Sequence, residues 1–330
     1  MKVAVLDDYQ HAFSSLPCAA RLAGHDLRLL HTHCDDPDRL AAALGDAEAV
    51  IATMQRTAFP AELIARLPAL RLISQTGRNT GHIDVAACSE AGVLVCAGGS
   101  GDPGSIAELT WGLILSALRH IPEEAAGLRQ GGWQTTVGER VAGKTLGLYA
   151  YGRIGSRVAK IGAAMGAHVL CWGREGSTAA ARADGFAVAE SRESFFASAD
   201  IVSLHITLNA ATRGIVTAPD LARMKPDALL VNTSRAGIIA PGALADALRR
   251  GRPGRAALDV FDREPASPEH EPLLRLPNVL ATPHLGYVDR ETYGTIFSVA
   301  VDQVLAFAAG QPINALNAPA ARRVDPAAQV

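Results

Sequence analysis

The sequence lacks a strong excess of either charge, a pair of cysteines at metal-binding spacing and a long apolar run. Its 31 basic and 33 acidic residues leave a formal net charge of −2, so no electrostatic feature favours nucleic acid or an acidic membrane as a partner. The five cysteines are scattered, which argues against a zinc site and for reduced thiols in the cytoplasm. No apolar run approaches the roughly 18 residues of a membrane span. We therefore expect a cytoplasmic protein that binds no metal, nucleic acid or membrane.

The N-terminus also lacks the apolar core of a signal peptide, because its short apolar run meets Asp7 and Asp8 at once. No repeat of a fixed short period occurs along the chain. With 330 residues and 48% hydrophobic content, the chain can form about two domains with sizeable cores.

The first hundred residues alternate short apolar runs with helical patterns. The predicted strands are Val3–Leu6, Leu27–Leu30, Val50–Ala52, Leu70–Ser74 and Val93–Cys96. The predicted helices are Pro37–Leu44, Ala61–Leu67 and Asp84–Ala91. Regular alternation of this kind predicts a parallel sheet with helices on both faces.

A second alternating series follows the glycine-rich stretch Gly98–Gly104 and a predicted helix Ser105–Ile121. Its six predicted strands are Leu146–Tyr149, His168–Trp172, Ile201–Leu204, Leu229–Asn232, Ala256–Val260 and Val279–Thr282. Six strands with intervening helices match a doubly wound dinucleotide-binding domain. A helix at Glu291–Ala308 and a tail that we expect to be mobile at its end complete the chain.

One strand–turn–helix stretch, Thr145–Ala159, organises this second series. Its turn follows the G-x-G-x-x-G dinucleotide pattern with Ala150 in the first glycine position. Gly152 would let the backbone approach a pyrophosphate at the helix N-terminus, and Gly155 would let helix and strand pack closely. Ala150 carries a Cβ, so we expect its φ to be negative. The alternative interpretation is a small-residue turn that binds no ligand.

Polar residues lie where the strands of the second series end. They are Arg235, Asp259, Glu264 and His284, and ligands of doubly wound sheets gather at such ends. A histidine can exchange the proton of an alcohol or ketone, a carboxylate can hold its ring, and an arginine can grip a substrate carboxylate bidentately. Taken singly, each has a structural alternative: a strand-capping histidine, a solvated loop acid, or an arginine that bonds loop carbonyls.

These motifs resemble the D-isomer-specific 2-hydroxyacid dehydrogenase family, from about residue 50 to residue 310. Val231–Arg235 resembles the segment with the family's substrate arginine. Leu258–Pro265 resembles the segment with its nicotinamide-contacting aspartate and catalytic glutamate, and Thr282–Gly286 the segment with its catalytic histidine. The family includes glyoxylate and hydroxypyruvate reductases, D-lactate-type enzymes and phosphoglycerate dehydrogenases.

The resemblance implies an α/β fold with two doubly wound parallel-sheet domains, a Rossmann cofactor domain inserted into a flavodoxin-like substrate domain. Residues 1–100 would form the first segment of the substrate domain and 101–286 the NAD(P)-binding domain. Residues 287–330 would supply the return helix and the tail. We expect no additional regulatory domain of the kind found in long phosphoglycerate dehydrogenases. Because the helix that includes Ser105 and Glu108 often forms a dimer interface in this family, we also expect a homodimer.

The resemblance also implies the site residues. Catalysis would use Arg235, Glu264 and His284 to transfer a hydride between NAD(P)H and C2 of a small 2-oxo or 2-hydroxy acid. The expected cofactor contacts are Tyr151, Gly152, Arg153, Ile154, Gly155, Gly173, Arg174, His205, Ile206, Thr207, Thr233, Ser234, Asp259 and Gly286. The expected substrate loop is Gly77, Arg78 and Asn79, whose backbone N–H groups would take the substrate carboxylate.

The chain departs from the family pattern at several positions. Thr207 stands where proline is usual, and Asn79 where glycine is usual. Gly173 replaces the aspartate that NAD-selective members place after the second strand, and Arg174 follows it. Loss of the acid removes repulsion against a 2′-phosphate that Arg174 and Ser177 could bind, which favours NADP slightly over NAD. Glu175 favours the opposite choice, since it could itself bind the ribose.

The same residues are also compatible with two other functions. One is a dinucleotide-sensing regulatory protein of the same fold, since such proteins can keep the same three polar residues. The other is oxidation of formate, against which Glu264 argues because formate dehydrogenases pair the histidine with glutamine. Arg56 and Arg78 could meet a second anionic group on the substrate or could be surface charges.

Overall fold

The computed structural model describes residues 1–99 and 101–319. The chain forms two compact units. One contains Met1–Gly101 and the chain from Asp289 onward, and the other contains Asp102–Val288. Ser100 of the glycine-rich stretch and the predicted mobile end of the tail, from residue 320, lie outside the described residues.

The first unit is built on a five-stranded parallel sheet. Its strands are β1 (Lys2–Val5), β2 (Asp26–Leu29), β3 (Ala49–Ala52), β4 (Leu72–Gln75) and β5 (Leu94–Ala97), in the order β2-β1-β3-β4-β5. The helices between them are α1 (Pro37–Leu44), α2 (Ala61–Ala65) and α3 (Val85–Glu90), with short 3₁₀ turns at Phe13–Ser15 and Ala19–Leu22. The C-terminal helix Arg290–Ala308 also belongs to this unit. This is the flavodoxin-like strand order.

The second unit is built on a seven-stranded parallel sheet. Its strands are β6 (Thr145–Tyr149), β7 (His168–Trp172), β8 (Ala187–Val188), β9 (Ile201–Leu204), β10 (Leu229–Asn232), β11 (Arg255–Leu258) and β12 (Val279–Ala281), in the order β12-β11-β10-β9-β6-β7-β8. The helices of this unit are α4 (Pro103–Arg119), α5 (Ile121–Arg129), α6 (Gly155–Ala164), α7 (Glu175–Ala183), α8 (Arg192–Ser198), α9 (Ala218–Arg223) and α10 (Ala243–Arg249). In this numbering the C-terminal helix of the first unit, Arg290–Ala308, is α11. Both faces of this sheet are covered, one around Phe195 and Phe196 and the other around Trp111. The predicted fold class is confirmed.

Three features of the second unit differ from the prediction. The sheet has a seventh strand, β8, which at two residues is too short for periodicity to reveal. The helix predicted at Ser105–Ile121 starts at Pro103, where the Asp102 carboxylate accepts the Gly104 N–H at 2.8 Å. It ends at Arg119 because His120 adopts a left-handed φ of 52°, and α5, which was not predicted, begins there.

The strand ends also move by one or two residues, and at β11 the change matters for function. This strand ends at Leu258, so Asp259 follows the strand instead of lying within it as predicted. Asp259 thereby joins the loops at the carboxyl edge of the sheet. No helix within residues 1–99 and 101–319 is long and apolar enough to cross a membrane.

Candidate active site

The loop after β10 positions Arg235. Asn232, which is 1% exposed, accepts the Ser234 N–H at 3.0 Å through Oδ1 and donates from Nδ2 to the Arg235 carbonyl at 3.0 Å. The Ser234 hydroxyl donates to the Leu204 carbonyl at 2.7 Å, which ties this loop to the end of β9. The Arg235 guanidinium donates from Nη1 to the Ser234 carbonyl at 2.7 Å. Asn232, which the sequence interpretation missed, therefore fixes the backbone that carries Arg235.

Thr233 in the same loop is buried against helix α4. Its hydroxyl lies 2.8 Å from the Thr110 hydroxyl, which in turn donates to the Ile106 carbonyl. The side chains of Thr233 and Ser234, both expected cofactor contacts, thus hold the loop in place.

Asp259 grips the turn that carries His284. Its Oδ1 accepts hydrogen bonds from the Thr282 hydroxyl and the Leu285 N–H, each at 2.7 Å, and its Oδ2 accepts from the Gly286 N–H at 2.9 Å. Burial raises the pKa of this fully buried carboxyl, although these hydrogen bonds oppose the rise. A Cβ at Gly286 would lie 3.3 Å from Asp259 Oδ2, so glycine lets the backbone come close to the carboxylate. No local sequence pattern indicated this role of Asp259.

His284 and Glu264 form a pair across this turn. His284 Nδ1 lies 2.6 Å from Glu264 Oε2, while Glu264 Oε1 accepts the Phe261 N–H at 3.0 Å. The backbone of His284 is left-handed, with φ of 52°. The Tyr287 ring meets the imidazole edge-on at 5.3 Å between centroids. With Nδ1 held by the carboxylate, the ring presents Nε2 as the nitrogen available for proton exchange.

Two basic side chains, His284 and Arg235, lie near the Glu264 carboxylate. Burial raises the pKa of this carboxyl most, but the hydrogen bond and charge of His284, the Phe261 N–H and the charge of Arg235 together lower the pKa below its usual value. Arg235 therefore lies close enough to act on Glu264 electrostatically. The three predicted catalytic side chains are thus brought together at the carboxyl edge of the sheet, from loops after β10, β11 and β12.

The dinucleotide-type turn after β6 contradicts one expectation. Ala150 has a φ of +78°, not the negative value predicted from its Cβ. Hydrogen bonds hold it there: its N–H donates to the Trp172 carbonyl at 2.7 Å, and the next N–H, of Tyr151, donates to the Ser177 hydroxyl at 2.5 Å. A left-handed alanine costs roughly 1–2 kcal/mol, so these partners outweigh the steric penalty.

The two glycines of the turn have the environments that a phosphate-binding turn needs. A Cβ at Gly155 would lie 2.5 Å from the Ala150 carbonyl oxygen, so only glycine fits there. A Cβ at Gly152 would meet no atom within 4 Å, which leaves open space beside the start of α6. Arg153 is exposed and Ile154 packs against the core. The turn can therefore accommodate an anionic group at a helix N-terminus.

The Tyr151 side chain points into the protein. It is 6% exposed, and its hydroxyl donates to Asp184 Oδ2 at 2.6 Å. Burial and this carboxylate raise the pKa of Tyr151. Tyr151 is one of the expected cofactor contacts. Because its ring lies in the core, it could contact a cofactor only through its backbone.

The residues that follow β7 are exposed and carry charges of both signs. Arg174 is the N-cap residue of α7, and its exposed guanidinium makes no hydrogen bond or ion pair within the described chain. Glu175 beside it is exposed as well. A Cβ at Gly173 would lie 3.0 Å from the Ser177 hydroxyl, the same group that accepts the Tyr151 N–H. The Ser177 hydroxyl accepts this N–H and can still donate its own proton, so Ser177 and Arg174 can both contribute donors to an anionic group in this region.

The segment after β9 places His205 next to the turn. Its Nε2 lies 3.0 Å from the Ser203 hydroxyl, and its Cβ lies 3.7 Å from the position that a Cβ on Gly155 would take. Burial lowers the pKa of His205 to about 4, so the imidazole is neutral at physiological pH. Ile206 is 9% exposed, and the Thr207 carbonyl accepts the Thr212 hydroxyl at 2.6 Å.

The loop expected to bind substrate belongs to the first unit and follows β4. Gly77 is buried, whereas Arg78 and Asn79 are exposed. A Cβ at Gly77 would lie 3.3 Å from the Met54 sulfur, so the loop lies against the segment after β3.

Comparison with known proteins identifies relatives along most of the chain. The family model described as D-isomer specific 2-hydroxyacid dehydrogenase, NAD binding domain, matches residues 111–286. A glyoxylate reductase from Aeropyrum pernix is 37% identical over 270 residues, which cover 78% of this chain and 79% of that protein. The D-3-phosphoglycerate dehydrogenase of Methanocaldococcus jannaschii is 35% identical over 81% of this chain but only 52% of its own length, so this chain spans about half of that relative.

Solved structures agree with the sequence matches. The crystal structure of a phosphoglycerate oxidoreductase from Vibrio cholerae O395 is 44% identical and superposes with a TM-score of 0.91, covering 94% of this chain and 99% of that one.

Proposed function

Because this chain belongs to the D-isomer specific 2-hydroxyacid dehydrogenase family, we propose that it transfers a hydride between a nicotinamide dinucleotide and C2 of a small 2-oxo or 2-hydroxy acid. The observation that carries the proposal is the 2.6 Å contact between His284 Nδ1 and Glu264 Oε2, with Arg235 close by, in the unit that holds the dinucleotide-type turn.

Each side chain has a role in this reaction. A bound nicotinamide dinucleotide supplies or accepts the hydride. His284 gives a proton from Nε2 to the alkoxide formed by reduction, and takes it back in oxidation. Glu264 holds Nδ1 and stabilises the imidazolium, as a carboxylate partner does for a catalytic histidine. Arg235 grips the substrate carboxylate with its planar fork and polarises the neighbouring carbonyl.

The other expected contacts complete the proposal. The turn Ala150–Gly155 would bind the pyrophosphate, because Gly152 leaves open space at a helix N-terminus. Asp259, fully buried behind the turn, would hold Gly286 beside the nicotinamide, and the segment His205–Thr207 would line the rest of the cofactor. The backbone of Gly77–Asn79 would bind the substrate carboxylate. The names of the relatives point to glyoxylate and phosphoglycerate as the substrates of those proteins, so either kind of acid is a candidate here.

A panel of 2-oxo acids tests the reaction. The purified protein is mixed with NADH or NADPH and with glyoxylate, hydroxypyruvate, pyruvate or phosphohydroxypyruvate, and absorbance at the cofactor band is followed. We expect at least one acid to be reduced, and His284→Ala to lower its turnover by about 10²–10⁴ while cofactor binding survives. Near-normal turnover in this variant would remove His284 from the mechanism. Cofactor binding without reduction of any acid would favour the dinucleotide-sensing regulator instead.

We further propose that the protein prefers NADP(H) slightly over NAD(H). The support is the exposed Arg174 at the N-terminus of α7, whose side chain has no hydrogen-bond or ion-pair partner in the described chain, together with a glycine instead of an acid at position 173. Arg174→Ala should weaken NADPH binding by about 10- to 100-fold, the value of a hydrogen bond to a charged group, and leave NADH binding unchanged. Arg182→Ala, an exposed arginine in the last turn of the same helix, serves as the matched control. If Arg174→Ala changes neither affinity, Glu175 becomes the better ribose ligand.

We also propose a homodimer, and we assign its contact surface to helix α5 and the segment after it, instead of to the part of α4 with Ser105 and Glu108 that the resemblance suggested. Leu128, Trp133 and Val137 are 59%, 75% and 94% exposed, an unusual display for large apolar side chains. Glu124 fixes the segment by accepting hydrogen bonds from the Thr135 and Thr136 hydroxyls at 2.9 and 2.7 Å. Light scattering should give twice the chain mass for the parent protein and a smaller mass for Trp133→Ser. A monomeric parent would contradict the dimer.

A further inference from the structure

The first unit has two arginines beyond the carboxyl edge of its sheet, and only one of them is engaged by the protein. Arg56 donates to the Asp7 carbonyl and, at 3.0 Å, to the Tyr293 hydroxyl, and its guanidinium lies 4.5 Å from the centroid of the Tyr9 ring. These contacts join the loops after β1 and β3 to helix α11. Arg56 is therefore a structural cation, although the sequence made it an equal candidate for substrate.

Arg78 is presented from a backbone that the protein holds firmly. Gln75 is fully buried and donates from Nε2 to the Met54 carbonyl at 2.5 Å. The Thr76 N–H donates to the Ala52 carbonyl at 3.0 Å, and its hydroxyl accepts the Met54 N–H at 2.9 Å. On the far side, Asn79 Oδ1 accepts the Gly81 N–H at 3.1 Å. These hydrogen bonds hold the backbone on both sides of position 78, so the loop fixes the point from which the Arg78 side chain extends.

The Arg78 side chain itself is exposed and makes no hydrogen bond or ion pair with any of residues 1–99 and 101–319. Its five N–H donors and its full charge are free for a ligand. The backbone on either side of it belongs to the loop assigned above to the substrate carboxylate. A substrate held there by one anionic end would bring a second anionic group within reach of a long, flexible cationic side chain.

We propose that Arg78 selects 2-oxo acids that carry a second negative charge, either a carboxylate or a phosphate, over acids with one. This inference rests on the proposed function and names its substrate class. Arg78 acts in it as a specificity residue. The fork of an arginine suits both groups, since it makes bidentate contacts with carboxylate and phosphate alike.

Matched pairs of substrates test the inference. Pyruvate is compared with oxaloacetate, which adds a carboxylate, and hydroxypyruvate with phosphohydroxypyruvate, which adds a phosphate. The parent protein should favour the doubly charged member of at least one pair in kcat/KM. Arg78→Ala should lower kcat/KM for that member by about 10- to 100-fold, the range expected for a charged hydrogen bond, and change the singly charged member less than about twofold. The pair that responds identifies the second group.

Two controls separate this effect from a general loss of function. Arg39→Ala removes another exposed arginine of the first unit, one whose side chain has no partner in the described chain. This variant should leave kcat/KM for both members of each pair unchanged. The preference of the parent should also fall as salt is added, more steeply than in Arg78→Ala, because salt screens exposed charges.

Three results would overturn the inference. Equal losses of kcat/KM for both members of a pair would mean that Arg78 binds the carboxylate that the two acids share, or that it maintains the conformation of the loop. Unchanged kcat/KM for both members in Arg78→Ala would show that Arg78 is a solvated surface charge. Failure of the parent protein to reduce any 2-oxo acid would overturn the proposed function and the inference with it, a result that is distinct from the other two.

Discussion

Replacing Glu264 with glutamine tests the pair at the centre of the site. The carboxylate accepts two hydrogen bonds, from His284 Nδ1 at 2.6 Å and from the Phe261 N–H at 3.0 Å. Glutamine keeps the size but supplies one oxygen and one NH₂ group. If the oxygen stays on His284, the NH₂ faces the Phe261 N–H; if it turns, the NH₂ faces the imidazole. In both arrangements the charge that supports the imidazolium is gone.

The expected size of the effect follows from the contact. A hydrogen bond to a charged group contributes about 1.5–3 kcal/mol, and about 1.36 kcal/mol corresponds to a tenfold change in rate. The side chains of His284 and Glu264 are 23% and 33% exposed, so solvent screening favours the lower end of that range. Reduction needs a positioned, protonated ring, and the glutamine no longer supplies the charge that supports it. Glu264→Gln should therefore lower kcat/KM for reduction by about tenfold.

The assay is kcat/KM for the best 2-oxo acid between pH 5 and pH 9, with cofactor affinity measured in parallel. Asp262→Asn is the matched control, because Asp262 is an exposed carboxylate two residues away that makes no hydrogen bond or ion pair within the described chain. A loss of kcat/KM smaller than about twofold in Glu264→Gln would refute the reasoning. An equal loss in Asp262→Asn would assign the effect to general charge.

Three further outcomes are expected. Arg235→Lys should lower kcat/KM for 2-oxo acids by at least about tenfold with cofactor affinity kept, because lysine lacks the planar fork; equal activity would make Arg235 structural. Gly173→Asp should shift preference toward NADH in cofactor titrations, with some loss of Tm because the new Cβ would lie 3.0 Å from the Ser177 hydroxyl; an unchanged preference would argue against a ribose contact here. The hydrogen bond to Asp7 raises the pKa of His33, against the opposing effect of burial, so this pair stabilises the fold below about pH 6.5 and the stabilisation is lost as pH rises through the raised pKa. As pH rises from about 6.5 through the raised pKa of His33, Tm should fall less in His33→Gln than in the parent protein. An identical fall in Tm would contradict a stabilising pair of His33 and Asp7.

Much of the fold and the choice of candidate residues could be predicted from local patterns. The alternation of apolar runs and helical segments predicted both parallel sheets, since the side-chain period is a property of each element by itself. Gly155 was assigned to close packing, and a Cβ there would lie 2.5 Å from a carbonyl oxygen. Arg235, Glu264 and His284 were selected because parallel strands end at one edge of a sheet.

The remaining features depended on partners distant in sequence. Ala150 is left-handed because Trp172 and Ser177 bond the turn, and no local rule for alanine anticipates that. Asp259 was expected to face a cofactor. Its carboxylate instead accepts the Thr282 hydroxyl before His284 and the Leu285 and Gly286 N–H groups after it, about 25 residues further along the chain. The sequence offered no reason to choose between Arg56 and Arg78 as a contact for the substrate. In the tertiary structure Arg56 donates hydrogen bonds to Asp7 and Tyr293, whereas the Arg78 side chain is exposed. Periodicity and turn chemistry are properties of neighbouring residues, whereas the partner of a polar side chain is set only when the packed elements bring it within hydrogen-bond distance.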